Sequence, residues 1–135
     1  MNLQTQIRVS SSNTKTCMYS ITLLGRIPSK KNSKVFTYRG NRPLLISSQS
    51  YVDWHNEQMW MLKKHKVHFD KCRMILTFFF PDNRKTDLTN KTESIMDLLV
   101  DSGILLDDNW TVVNELTLIS KGVDKKNPRV EIVFV

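Results

Sequence analysis

The sequence predicts an α+β (mixed α/β) domain, in which one mixed β-sheet is packed by two main helices. The chain has 135 residues, enough for one domain with its own hydrophobic core. Its 40% hydrophobic and 24% charged residues are ordinary for a globular protein. Segments with strand character lie on both sides of each helical segment, which favours a single sheet covered by helices. We assign residues 18–135 to this domain and residues 1–17 to a polar N-terminal extension.

The predicted strands are rich in β-branched and aromatic residues. The strongest signal is at residues 73–80, a run that ends at Pro81. The strand predicted at residues 18–26 is followed by a polar, basic segment with strand-breaking residues. We call this segment, residues 28–34, the basic loop. The other strands are predicted at residues 18–26, 35–38, 44–46, 111–120 and 129–135.

Two helices are predicted between these strands. Ser47, Ser48 and Ser50 can cap the first helix, which continues to about residue 66 and ends among lysines. The second helix covers about residues 90–102 and ends at Gly103, because glycine commonly follows a helix C-terminus. Four residues with helical spacing share a mostly apolar face that should pack on the sheet: Leu88, Thr92, Ile95 and Leu99.

The cysteine content and the hydropathy predict a cytoplasmic protein. Only Cys17 and Cys72 are present, which excludes a disulfide framework and fits a reducing compartment. No apolar run approaches the roughly 20 residues of a membrane span. The N-terminal residues are polar and lack a signal-peptide pattern, so secretion is not expected.

The charge is unevenly distributed along the chain. The net charge is +7, of which residues 1–86 carry +11, residues 87–115 carry −6 and residues 116–135 carry +2. Lysine and arginine neutralise phosphates, so the basic part suggests a polyanionic partner. The acidic segment would repel that partner unless a divalent cation lies between them. A solvated basic surface beside an ordinary acidic helix is the alternative.

The acidic segment has three sources of carboxylates. Asp87 lies between the strongest strand and the second helix, Glu93 and Asp97 lie on that helix, and Asp107 and Asp108 follow it. Like charges four residues apart destabilise a helix by roughly 0.2–0.5 kcal/mol per pair, so a cation or a basic partner would relieve Glu93 and Asp97. We predict that the three sources converge on one point. Oxygen ligands alone suit Mg²⁺ or Mn²⁺ rather than zinc.

Each of these residues also has a purely structural interpretation. Asn90 and Glu93 have the spacing of a helix capping box. Asp97 can face water or hold a loop, while Asp107 and Asp108 can belong to a turn. The sequence alone leaves these alternatives open.

Other candidate sites are weaker. A zinc site is one interpretation of His65, His68, Asp70 and Cys72, but no second paired cluster completes it, and a basic helix end is the alternative. The sequence has no phosphate-binding glycine-rich loop and no nucleophile triad signature. The three tryptophans are interpreted as core or subunit-interface residues.

The segment Asp87-Leu88-Thr89-Asn90, the helix after it and the Asp107-Asp108 pair resemble the RusA family of Holliday junction endonucleases. The family pattern is Asp-Leu-Asp-Asn, then a lysine, a helix and a final Asp-Asp. In this resemblance Asp87 matches the first aspartate, Asn90 the asparagine and Asp108 the third catalytic carboxylate. The opening strand, the Pro-Ser loop and the start of the first helix are also similar, so the resemblance covers about residues 18–135.

Two positions depart from the family pattern. Thr89 stands at the second catalytic aspartate and Glu93 stands at the lysine. We hypothesise a local exchange of roles, in which Glu93 points back towards the metal and Lys91 supplies the positive charge near the scissile phosphate.

The resemblance implies a homodimer that resolves four-way junctions by paired phosphodiester hydrolysis in DNA recombination and repair. It implies catalytic roles for Asp87, Asp108, Glu93 and Lys91, and a site for Mg²⁺ (or Mn²⁺) made by Asp87, Asp107, Asp108 and Glu93. Backbone phosphates would be held by basic residues without reading of sequence: Lys30, Lys31, Lys34, Arg39, Arg42, Arg84 and Lys85. No membrane and no small-molecule cofactor are expected, and the protein would be encoded by a bacterium or a phage.

Two other functions stay open from the sequence. Thr89 also fits a DNA-binding or junction-binding protein that has lost its chemistry. A protein-interaction domain with a structural acidic helix is the third interpretation.

Overall fold

The computed structural model describes residues 7–9 and 18–135. The strands are β1 (Ile7–Val9), β2 (Tyr19–Leu24), β3 (Lys34–Arg39), β4 (Arg42–Ser47), β5 (Val67–Phe69), β6 (Cys72–Phe80), β7 (Val113–Val123) and β8 (Arg129–Phe134). The helices are α1 (Gln49–Leu62) and α2 (Leu88–Asp101). The predicted N-terminal extension lies outside the described residues, apart from β1.

A four-stranded mixed sheet in the order β2-β8-β6-β7 forms the centre of the fold. β6 pairs with β7 in parallel, whereas the β2–β8 and β6–β8 pairs are antiparallel. The α+β prediction, with a mixed sheet and two helices, is therefore confirmed. β3 and β4 do not join this sheet, because they form a separate antiparallel hairpin, and β1 pairs in parallel with β5.

Alternate residues of three neighbouring strands build the core. β6 buries Met74, Leu76 and Phe78, and the paired residues of β8 and β2 continue the same rows. One such row is Leu76, Ile132 and Ile21, each 1% exposed or less. Because side chains alternate between the faces of a strand, these rows define a single buried face, and the buried apolar residues of α2 belong to the same core.

Local sequence signals set the start of α1 and the end of α2. Ser48 is the N-cap of α1, and its hydroxyl accepts a hydrogen bond from the Tyr51 amide at 3.3 Å. At the end of α2 the Gly103 amide donates to the Val100 carbonyl and the Ile104 amide donates to the Leu99 carbonyl, both at 3.0 Å. This is the Schellman arrangement, and it places Gly103 at φ +81, as predicted for the residue after the helix.

Several sequence predictions need correction. α2 begins at Leu88 with Asp87 as its N-cap, so the capping box of Asn90 and Glu93 is wrong. α1 ends at Leu62 rather than near residue 66. Neither β1 nor β5 was predicted from the sequence.

The core interpretation holds for one of the three tryptophans, and the subunit-interface interpretation stays a prediction for the other two. Trp54 packs against the core, whereas Trp60 and Trp110 are 69% and 83% exposed.

In the described part of the chain, neither helix is long and apolar enough to cross a bilayer.

Candidate active site

An open cavity of about 620 Å³ lies where the basic loop meets α2 and β7. The loop and the start of β3 contribute three lysines, α2 contributes one face, and the turn before β7 contributes Asp108. Its lining residues are Lys30, Lys31, Lys34, Thr89, Thr92, Glu93, Met96, Asp97, Asp108, Leu116 and Leu118. Opposite charges therefore share one accessible space.

The face of α2 that lines the cavity follows from helical spacing. Thr89, Glu93 and Asp97 are four residues apart, and residues at this spacing lie above one another on a helix. Both departures from the family pattern, Thr89 and Glu93, therefore face the cavity. Asp97, which we did not include among the predicted site residues, lies one turn beyond Glu93 on the same face. The i, i+4 pattern, which already related Asp97 to Glu93 in the sequence, was the signal for including it.

An ion pair ties the basic loop to α2. The ammonium of Lys30 binds the carboxylate of Asp97, and this hydrogen bond is the main cause of the raised pKa of Lys30. The loop backbone is held by Ser94, whose hydroxyl donates to the Pro28 carbonyl at 2.7 Å and accepts from the Lys30 amide at 2.8 Å. Asp97 thus has the loop-holding role that we considered for it, and Lys30 is fixed at the cavity.

Asp108 reaches the cavity from the turn before β7. It follows Asp107, whose two carboxylate oxygens accept from the Asp108 amide at 2.7 Å and from the Asn109 side chain at 3.0 Å. Asp107 therefore stabilises this turn, as in the turn interpretation. Burial raises the pKa of Asp108, and hydrogen bonding with Asp107 and the negative charges of Asp107 and Asp97 raise it further. A nearby cation would reverse this effect, since it favours the ionised carboxylate.

Asp87 does not line the cavity. It is exposed at the N-terminus of α2, where one of its oxygens accepts a hydrogen bond from the Asn90 side chain at 3.2 Å. Asp87 precedes a 14-residue helix, about 21 Å long at 1.5 Å per residue, and Asp108 follows it. The turn brings Asp108 back to the face of Glu93 and Asp97, so the cavity unites two of the three predicted carboxylate sources.

Lys91 lies on another side of α2. Its side chain is buried, and its ammonium donates to the Ile27 carbonyl at 2.5 Å. Burial lowers the pKa of Lys91, and the positive charges of Arg26 and Arg84 lower it further. It lines a separate small cavity with Gly25, Pro81 and their neighbours rather than the cavity of Lys30.

The other predicted phosphate-binding residues lie outside the cavity. Arg39 and Arg42 face each other across the end of the β3–β4 hairpin and are exposed. Arg84 forms an ion pair with Asp82 at 2.8 Å, and this arginine holds the pKa of Asp82 near 2. Lys85 is exposed in the loop before α2.

A second, smaller cavity of about 200 Å³ lies beside the Lys30–Asp97 pair. Tyr51 and His55 of α1 contribute to it, and His55 Nε2 lies 2.8 Å from the carboxylate of Asp101. Burial raises the pKa of Tyr51, and so does the charge of Asp97. The acidic face of α2 therefore has partners from both the basic loop and α1.

The side chains considered for zinc have structural contacts instead. The His65 Nδ1 lies 2.7 Å from the Tyr19 hydroxyl, and the His68 Nδ1 lies 2.7 Å from the Gly103 carbonyl. Cys72 is buried, and burial raises the pKa of its thiol to about 11. These contacts anchor strands and the helix end.

The donor chemistry of the main cavity suits a hard divalent cation. Among the described residues, no three His, Cys, Asp or Glu side chains are grouped so that they could hold a metal ion. Magnesium, however, is commonly held by one or two carboxylates together with water and substrate phosphates. Glu93, Asp97 and Asp108 supply such oxygens at one cavity. These carboxylates would leave the remaining coordination positions of such a cation to water and to a substrate phosphate.

Comparison with known proteins identifies a family for this chain. A search of curated proteins returned no match to this chain. The family model described as Endodeoxyribonuclease RusA matches residues 25–134, which include both the basic loop and the acidic segment. The match covers most of the 135 residues, so the chain belongs to the RusA family of endodeoxyribonucleases.

Proposed function

We propose that this protein is a metal-dependent endonuclease that resolves four-way DNA junctions in recombination and repair, and that it cuts DNA at the cavity between the basic loop and α2. RusA enzymes are Holliday junction endonucleases and generally use a divalent metal. The observation that carries the proposal is that Lys30, Lys31 and Lys34 line the same cavity as Glu93 and Asp108. Cations and carboxylates around one accessible space suit a phosphate and its metal ion.

Within this cavity the chain supplies two functions. The lysines neutralise the phosphate and hold it without reading the bases. Asp108 and Glu93 are the metal ligands that the geometry supports, and Asp97 lies beside them. When bound, Mg²⁺ or Mn²⁺ lowers the pKa of water and neutralises charge on the phosphate. Asp87 and Asp107 stay proposed ligands on the strength of the family motif.

We assign the positive charge near the scissile phosphate to Lys30 rather than to Lys91. Lys30 lines the cavity and Lys91 does not. The ammonium of Lys91 is buried against the Ile27 carbonyl, so moving it to a phosphate would break that hydrogen bond. In this proposal Glu93 still supplies the carboxylate that is missing at Thr89. The positive charge comes from Lys30 of the basic loop instead of Lys91.

A synthetic four-way junction tests the proposal. The wild-type protein should cut it in Mg²⁺ and not in EDTA. Asp108→Asn should reduce the rate about 100-fold or more, because a metal ligand is worth several kcal/mol of transition-state stabilisation. Glu57→Gln on α1 is the matched control, since Glu57 is an exposed carboxylate away from the cavity. Cutting by Asp108→Asn at the wild-type rate would refute the assignment.

A junction-binding protein without nuclease activity is the second candidate. Thr89 stands at the position of a family aspartate and lines the cavity, so the cavity has one carboxylate fewer. In that case the protein would shift junction DNA in a gel and leave it intact in Mg²⁺ and in Mn²⁺. Absence of a shift with both junction and duplex DNA would favour a protein-interaction domain instead.

We also propose that the protein is a homodimer. Paired cuts in opposing strands need two active sites, and a two-fold dimer supplies two equivalent ones. The four-stranded sheet ends at β7, an 11-residue edge strand whose residues are mostly exposed. A long edge strand can pair with a second chain. Sedimentation equilibrium at micromolar concentration should give the mass of two chains, and the mass of one chain would exclude the dimer.

A further inference from the structure

The β3–β4 hairpin exposes an aromatic face. Cross-strand partners share a face of the hairpin, and the register pairs Phe36 with Leu45 and Tyr38 with Pro43. Phe36 is 77% exposed, Tyr38 is 72% exposed and Leu45 is 55% exposed. A two-stranded sheet that presents such side chains to water is poorly explained by the stability of the monomer, because the hydrophobic effect favours their burial.

The charge of the same hairpin points to an anionic partner. The hairpin itself holds three basic residues, and the hairpin together with the basic loop (residues 28–47) holds five and no acidic residue. Arg39 and Arg42 are directly opposed at the end of the hairpin, and like charges in that position are destabilising. A polyanion would remove that repulsion. These observations favour DNA over an apolar protein surface as the partner.

The aromatic face is continuous with the active-site cavity. Lys34, Phe36 and Tyr38 alternate along β3, so they point to the same side of the strand. Lys34 also lines the cavity beside Lys30 and Lys31. A DNA strand whose phosphate occupies the cavity would therefore extend along the hairpin.

We propose that Phe36 and Tyr38 stack on bases at the branch point of a DNA junction, so that the hairpin recognises branched DNA in preference to duplex. This inference rests on the proposed function. Aromatic side chains stack on any base that is accessible, and a duplex interior offers none without unstacking. Arg39 and Arg42 hold the flanking phosphates, which both kinds of DNA possess. Stacking thus supplies preference for structure, and the arginines supply affinity.

Equilibrium binding in EDTA tests the proposal, since without metal the DNA stays intact. A junction with 2-aminopurine at the branch point and a duplex of the same length are titrated with each protein. Phe36→Ala and Tyr38→Ala should each weaken junction binding about tenfold or more and reduce the change in 2-aminopurine fluorescence. Duplex binding and its salt dependence should stay within about twofold, because no charge is removed.

Matched variants separate stacking from other effects. Phe36→Tyr should retain junction preference, while Phe36→Leu, which keeps an apolar side chain without a ring, should lose it. Val35→Ala alters the opposite face of the same strand and should leave junction preference unchanged. Arg39→Gln should weaken the binding of junction and duplex equally. Circular dichroism with thermal melting confirms that each variant is folded.

Three results would overturn the proposal. The first is unchanged junction binding by folded Phe36→Ala and Tyr38→Ala. The second is an equal loss of junction and duplex binding. The third is a difference in sedimentation mass between either alanine variant and the wild-type protein in the absence of DNA. Such a difference would assign the aromatic face to a contact between protein chains. Cleavage is measured separately, so a protein that binds junctions through these residues but cuts nothing would refute the nuclease alone.

Discussion

The ammonium of Lys30 and the carboxylate of Asp97 form an ion pair that joins the basic loop to α2 at the edge of the cavity. The most basic and the most acidic parts of the sequence thus meet within one monomer. Bound phosphate would compete with Asp97 for Lys30, and a bound cation would compete with Lys30 for Asp97. The pair holds both groups at the cavity.

The two candidate lysines can be distinguished by a paired substitution. Lys30→Met should reduce junction cleavage about tenfold or more and weaken DNA binding, because a cation beside the phosphate is lost. Lys91→Met should reduce cleavage less than Lys30→Met does. Single-turnover rates, measured on protein shown to be folded, check this. A greater loss with Lys91→Met would return the role to Lys91.

Glu93 should matter for chemistry more than for binding. Glu93→Gln keeps the side-chain size and removes the charge that faces the cavity, so cleavage in Mg²⁺ should fall about 100-fold. Junction affinity in EDTA should be equal or higher, since a negative charge near the phosphate is removed. Glu57→Gln serves as the control. Wild-type cleavage by Glu93→Gln would mean that Glu93 does not replace the missing aspartate.

Lys91 should contribute to the stability of the fold. Lys91→Ala leaves the buried Ile27 carbonyl without its donor and opens a void, which should lower the free energy of unfolding by about 2–4 kcal/mol. Urea denaturation at neutral pH measures this. A loss below about 0.5 kcal/mol, typical of surface substitutions, would contradict the buried contact.

The same lysine predicts a pH dependence. Burial lowers the pKa of Lys91 in the native state below 10.5, the value expected in the unfolded chain. As the pH rises towards 10.5, the unfolded chain therefore binds more protons at this group than the native protein does, and stability rises with pH. The wild-type protein should gain stability relative to Lys91→Met in this alkaline range. If the free energies of unfolding of the two proteins change with pH in parallel, the pKa of Lys91 is not lowered in the native state.

Cys72 should be chemically inert in the folded protein. Burial raises its pKa from 9.0 to about 11, which reduces the thiolate fraction at about pH 8 by roughly 100-fold, and the side chain is 1% exposed. In a Cys17→Ser background, iodoacetamide should alkylate Cys72 at least roughly 100-fold more slowly in buffer than in denaturant. Equal rates in the two solutions would place the thiol at the surface.

DNA binding should depend steeply on salt. With about five phosphate contacts, affinity for either junction or duplex should fall roughly 10²–10³-fold between about 50 and 200 mM salt. Arg42→Gln should remove one phosphate contact and so reduce the slope of log affinity against log salt concentration by about one. Fluorescence anisotropy at several salt concentrations checks this. A nearly constant affinity would show that the basic residues do not hold phosphates.

The sequence by itself determined both helices and the strands other than β1 and β5. The β-branched and aromatic run of β6, the serine cap of α1 and the glycine after α2 are local signals, because they depend on residues close together in the chain. The sequence also determined the apolar face of α2 through its 3.6-residue period. It identified the acidic segment and the family resemblance.

Only the tertiary structure decided which charged groups meet. Lys30 and Asp97 are 67 residues apart, and Lys30 is one of several lysines with similar sequence surroundings. Lys91 and Glu93 are only two residues apart, yet about 200° of rotation between them on α2 places one side chain in the interior and the other in the cavity. Spacing along a helix gives relative directions, but the packing of the sheet and the basic loop determines which direction is buried.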